Sequence, residues 1–188
     1  ENTAGIPSDV LQAAKAAADA DGHNGYKLTL KMPCYLPVMQ YAHSSSLREK
    51  LYRAYATRAS DQSEHLQFDN SAVLKEILQL RREEAALLGY ANHAQVSLAS
   101  KMAESPEHVT GFLRDLAERA RPYAEKDLAE MRAFAVDQLH IADPKAWDWT
   151  FIGEKLKEAR YAFSDQEVKP YFTAPKVLDG LFKIVETL

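Results

Sequence analysis

From Ser105 to Ala135 the chain repeats apolar residues at one spacing, and no other feature narrows its fold so far. Val109, Phe112, Leu113, Leu116, Ala120, Ala124, Leu128, Met131 and Ala135 mostly stand three or four positions apart, the repeat of one helix face. Ser105-Pro106-Glu107 opens the run with a capping hydroxyl, a proline in the first turn and an acid at the positive end of the helix dipole. Pro122 lies inside the run and lacks an amide donor, which predicts a kink. A helix this long calls for helix-on-helix packing.

The neighbouring segments read the same way. A first helix is expected from Ser8-Asp9, through Val10, Leu11, Ala14, Ala17 and Ala18, to the stop at Asp21-Gly22. A short segment covers Tyr35–Tyr41. Ser46-Leu47-Arg48-Glu49 reads as a capping box opening a helix through Leu51, Ala54, Tyr55 and Arg58. Asp69-Asn70-Ser71 caps another, with Val73, Leu74, Ile77, Leu78 and Leu88 expected inward and Gly89 at its end. Asn92 to Lys101 is short, Trp147 to Tyr161 is a further helix, and Pro175 opens the last. One segment differs: in YKLTLKM, Tyr26, Leu28, Leu30 and Met32 alternate with Lys27, Thr29 and Lys31, the period of a half-buried strand ended by Pro33. The expected fold is therefore all-α, a multi-helix array with one short strand at residues 26–32. A lone strand leaves its own donors and acceptors unpaired.

Bulk properties exclude several classes. The 188 residues carry a net charge of −4, which supplies no basic field for nucleic acid. No apolar run approaches the roughly 20 residues a membrane span needs. The single Cys34 has no disulfide partner and suits a reducing compartment, so a cytoplasmic location is expected. The chain starts at Glu1 and ends at Leu188 inside KVLDGLFKIVETL, a helical run with no stop signal. Together with the unpaired strand, this reads as a single helical fragment, 1–188, of a larger protein.

Local chemistry is sparse. A helical zinc site wants two histidines one turn apart, yet no two of His23, His43, His65, His93, His108 and His140 lie within ten residues. Glu104, Glu107 and His108 come nearest to a ligand group, but beside Ser105-Pro106 they read as capping and dipole pairing. Cys34 has no neighbouring histidine to activate it. Ser44-Ser45-Ser46 reads as a loop ending in a helix cap, and the seven glycines form no phosphate loop. Arg81-Arg82-Glu83-Glu84 reads as a solvated helix face. In YRAYATRASDQ (52–62), Tyr52, Arg53, Tyr55, Arg58, Ser60 and Asp61 allow two readings. They form either a wall that grips peptide backbones and carboxylates, or packed tyrosines with Arg58 paired to an acid. No catalytic, cofactor-binding or metal-ligating residue is assigned within 1–188.

Several stretches together resemble the zinc oligopeptidase family. They are MPCYLPVMQYA (32–42), LREKLYRAYATRASDQ (47–62), FDNSAVLKEILQLRREEAALLGYANHAQVSLASKMAESPEHV (68–109), WDWTFIGEKLKEARYAFSDQEVKPYF (147–172) and KVLDGLF (176–182). The likeness runs from about Tyr26 to the end, and LLGYANHAQVSLASKMAESP is its most specific part. It implies a longer metalloendopeptidase that hydrolyses short peptides, with its zinc held by an H-E-x-x-H helix that 1–188 does not contain. Zinc is therefore expected in the parent enzyme and not in this piece, which is expected to be inactive scaffold in the shell around a substrate channel. One departure stands out: where the family shows paired tyrosines after Trp-Asp, this chain has Phe151-Ile152. Helices shaped for absent neighbours are also expected to make the fragment self-associate. The alternative reading is a self-standing helical interaction module without enzymatic activity; an independent enzyme built on Cys34 or dispersed histidines is a third.

Overall fold

The structure is a computed structural model that describes residues 2–188. Its order is α1 (Ser8–Ala20), α2 (Met32–Tyr41), α3 (Ser45–Ala56), a 3-10 turn (Leu66–Phe68), α4 (Ser71–Leu87), α5 (His93–Leu98), α6 (Pro106–Asp137), α7 (Trp149–Tyr161), α8 (Asp165–Val168), a second 3-10 turn (Lys169–Tyr171) and α9 (Ala174–Thr187). The all-α expectation holds, and among the described residues there is no strand.

The expected strand at 26–32 is thus corrected. Residues 26–29 take no regular secondary structure, and two of their backbone donors find other partners: Lys27 N–H donates to the Ala14 carbonyl of α1 at 2.9 Å, and Thr29 N–H to Cys34 Sγ at 3.3 Å. Pro33 opens α2 instead of merely closing a strand. As a first-turn residue it gives up an amide that would have been unpaired there anyway. The alternation of Tyr26, Leu28 and Leu30 marks an irregular segment bonded to a helix.

The helix starts follow capping chemistry, with two shifts. In α1, Ser8 lies inside the helix, Pro7 precedes it, and no side chain caps it; Asp9 pairs with Lys169 at 2.7 Å instead. α3 is capped by Ser44, whose Oγ accepts from Leu47 N–H at 3.2 Å, two residues before the expected Ser46. Ser105 caps α6 as expected, its Oγ accepting from His108 N–H at 3.1 Å. Before α4, Asn70 at the cap position makes no side-chain cap, and Asp69 Oδ1 accepts from Ser71 N–H at 2.9 Å. Asn92, not singled out in the sequence, caps α5, its Oδ1 accepting from Gln95 N–H at 3.1 Å. Gly89 follows α4 with φ +78°, the left-handed turn that a Cβ disfavours. α6 continues as helix through Pro122.

The described residues form two compact units. One joins the segment up to Tyr52 with Met131–Leu188; the other is Arg53–Glu130. The core of the first is made of Ile6, Val10, Ala14 and Ala18 with Tyr35, Val38, Met39, Tyr41, Ala42, Leu51, Ala135, Phe151 and Ile152, and in it α2 packs against α1 and α7. Its N-terminal turn is stapled down by His43 N–H, which donates to the Ala4 carbonyl at 2.9 Å. In the second unit α4 packs against α5, and only Ala85 is buried. Val73, Leu74, Ile77, Leu78 and Leu88, expected inward, are exposed, as are Phe112, Leu113 and Leu116 of α6. Their helical spacing is real, but no described element covers them.

Candidate functional site

The most highly organised polar chemistry in the chain is buried, and it links residues about a hundred positions apart. Arg48 on α3 is 1% exposed and Asp148, just before α7, is 3% exposed. Arg48 Nη2 donates to Asp148 Oδ1 at 2.6 Å, while Nη1 donates to the carbonyls of Ala42 at 2.5 Å and His43 at 3.2 Å. Its guanidinium carbon lies 4.2 Å from the centre of the Phe151 ring, a cation–π contact strengthened by the lack of water. Asp148 is satisfied from three sides: Ser45 Oγ also donates to Oδ1 at 2.9 Å, and Lys145 N–H donates to Oδ2 at 3.0 Å. Trp147 Nε1 in turn donates to Ser45 Oγ at 3.1 Å. Among the described residues Arg48 Nε is buried without a partner, so the desolvation of this pair is offset through the two terminal nitrogens and the Asp148 carboxylate.

One turn into α7, Glu154 makes a second buried node. Its Oε1 accepts from Tyr41 Oη at 2.9 Å and pairs with Lys157 Nζ at 2.9 Å. Its Oε2 accepts from Gln40 Nε2 at 3.3 Å. The two nodes lock the end of α2 and the start of α3 to α7. Phe151 and Ile152, which replace the tyrosine pair expected from the resemblance, are 7% and 0% exposed. Between two charged nodes, Phe151 supplies a ring face to Arg48 and meets the His43 ring edge-on, with centroids 6.3 Å apart. Such a cluster orients helices; it presents no nucleophile and no open ligand position.

The side chains weighed from the sequence lie elsewhere or act structurally. Cys34 is half-buried beside a small apolar hollow lined by Val10, Ala14, Ala17 and Pro33. Of the serine triplet, Ser44 caps α3 and Ser45 supports Asp148. In the 52–62 stretch, Tyr52 tilts against Trp147 with ring centroids 6.2 Å apart, and Arg58 lies 4.8 Å from the Tyr55 ring centre. That is nearer to the packed-tyrosine reading, with the ring in place of an acid beside Arg58. His108 supplies the amide that Ser105 caps, and His93 Nδ1 lies 3.1 Å from Glu84 Oε2 in an exposed pair. Among the described residues no three His, Cys, Asp or Glu side chains gather as a metal site would require, and no helix is long and apolar enough to cross a membrane.

Sequence reasoning missed the Arg48–Asp148–Glu154 cluster. In the sequence Arg48 is one position of a capping box, and Asp148 is half of a Trp-Asp motif. The one available hint was an ionisable residue at the start of α7 beside bulky Trp147, Trp149 and Phe151.

Comparison with known proteins bears on these same segments. The sequence model of peptidase family M3 matches residues 38–188, which includes both buried nodes. Oligopeptidase A of Salmonella typhimurium (strain LT2) is 50% identical over 186 residues, 98% of this chain and 27% of that protein. The organellar oligopeptidase A of Arabidopsis thaliana is 41% identical over 98% of this chain and 24% of its own length. Dipeptidyl carboxypeptidase of Escherichia coli (strain K12) is 29% identical over 93% and 25% respectively. The chain thus spans about a quarter of the length of the curated relatives it matches. With most of its residues inside the family match, the chain belongs to peptidase family M3.

Proposed function

We propose that residues 1–188 are one part of a longer zinc-dependent oligopeptidase, a cytoplasmic metalloendopeptidase that hydrolyses short peptides, and that they build part of the helical shell around its substrate channel. The observation that carries this reading is the 50% identity to oligopeptidase A along 98% of the chain. The buried clamp supports a scaffold role, because it spends its ionisable groups on fixing helices to one another.

Among the described residues no side-chain cluster fits zinc. A zinc site converges three or four nitrogen, sulfur or oxygen donors at about 2.0–2.3 Å. Here the histidine–carboxylate pair of His93 and Glu84 is exposed and lacks a third ligand among the described residues. On the proposed reading the metal of the parent enzyme is held by residues outside 1–188, and no catalytic step is assigned to this chain. Nor does it offer a site for nucleic acid, given the net charge of −4.

The test compares chain 1–188 with the full-length gene product on a set of short unstructured peptides. The full-length protein cleaves them and loses activity with a chelator, whereas 1–188 cleaves none. Metal-dependent cleavage by purified 1–188 contradicts the proposal. Isolated 1–188 also self-associates through its wet apolar faces, and light scattering that stays monomeric as concentration rises contradicts that part.

A further inference from the structure

α9 has the most one-sided surface in the chain. Pro175 starts it in the first turn. At 100° per residue, Val177, Leu178, Leu181, Phe182, Ile184 and Val185 fall within an arc of roughly 160°. Lys176, Asp179, Lys183 and Glu186 occupy the other side. The six apolar residues are 47–62% exposed, and no residue of the helix is buried. Leaving such a face in water forfeits the burial that stabilises an amphipathic helix.

Width and charge narrow what covers it. Helices that lie on membranes carry a polar face rich in Lys and Arg, but two lysines against two acids leave this face neutral. A second copy of α9 pairing across a two-fold axis buries the narrow seam of a coiled coil, and the flanks of a 160° arc stay wet. A face this wide is covered by two neighbours at once. A chain that spans 27% of oligopeptidase A leaves ample polypeptide in the parent to provide them.

We infer that the apolar face of α9 is an internal packing surface, seated in cis between at least two further apolar elements of the longer peptidase polypeptide. The inference rests on the function proposed above. It makes α9 the point at which this part of the shell is joined to the rest of the enzyme.

Thiol labelling of Val185→Cys, on the apolar face, and Glu186→Cys, on the polar face, tests this, with the label located by mass spectrometry so that Cys34 is read separately. In dilute 1–188 both new cysteines react quickly. In the full-length enzyme Cys at 185 slows by at least about tenfold, the protection of a packed site, while Cys at 186 stays fast. Equal rates at 185 in both proteins overturn the inference. So does protection in the full-length enzyme that is lost on dilution (a second copy), or protection of dilute 1–188 on adding anionic lipid vesicles (a membrane). Peptidase activity assayed on the same full-length samples separates the two levels: an active enzyme with an unprotected position 185 sinks only the packing claim, and a protected position in an inactive protein sinks only the enzymatic one.

Discussion

Arg48 is the residue on which the first unit turns. Its charge is permanent and 1% exposed, so its partners must stay. Arg48→Met leaves Asp148 buried without its counterion and lowers stability by about 3–5 kcal/mol. The double variant Arg48→Met/Asp148→Leu loses clearly less than the sum of the two single changes, because no charge is stranded. Urea unfolding of the four proteins checks this, and additive losses contradict the clamp. Gly5 gives a second contrast. It sits at φ +86°, and an added Cβ would overlap the Tyr41 carbonyl oxygen and lie 2.5 Å from His43 Cδ2. Gly22, at φ +72°, has open space around it. Gly5→Ala therefore costs about 2–4 kcal/mol and Gly22→Ala only about 1 kcal/mol; thermal unfolding that ranks them equally contradicts the stapled N-terminal turn. Neither the pairing of Arg48 nor the crowding at Gly5 is legible in the sequence, since partners distant along the chain leave no periodic trace.

Helix existence was legible because its signals are local. Ser105 with Pro106, Asn92, Asp69 and Gly89 all act within one turn of where they stand. What a helix faces is not local, so the residues assigned inward on α4, and Phe112, Leu113 and Leu116 of the α6 stripe, are exposed, while Ala135 of that stripe is buried. The 26–32 segment failed for a related reason. A period of two describes any extended backbone, and only a neighbouring strand, absent among the described residues, makes it a ladder. Cap chemistry at α4 carries its own pH dependence. Asp69 accepts from the Ser71 hydroxyl and then from the Ser71 amide, which holds its carboxyl below the ordinary value of 3.8. The folded form thus binds this proton more weakly than the unfolded chain. The contribution is complete above the ordinary carboxylate range and is lost as pH falls through the lowered value. The expected outcome is that the Ser71 amide stays protected from exchange down to about the reference value and opens only below it. An Asp69 midpoint at or above 3.8 contradicts this.

At the scale of the whole molecule, the family was legible and the energetic logic of the chain less so. The stretches 32–42, 47–62, 68–109, 147–172 and 176–182 carry the likeness to zinc oligopeptidases, and the family match over 38–188 bears it out. The exposed faces of α4, α6 and α9 are mute in sequence, because a buried and a wet apolar stripe have the same spacing. They make sense once the 27% share of oligopeptidase A is set beside them: most of such an enzyme lies outside these residues. The central claim is that this chain is shell and that its metal is bound elsewhere. Elemental analysis of purified 1–188, dialysed against buffer with trace zinc, tests that most directly. The account predicts far less than one zinc per chain, beside one per chain in the full-length protein; a single zinc retained by 1–188 would contradict it.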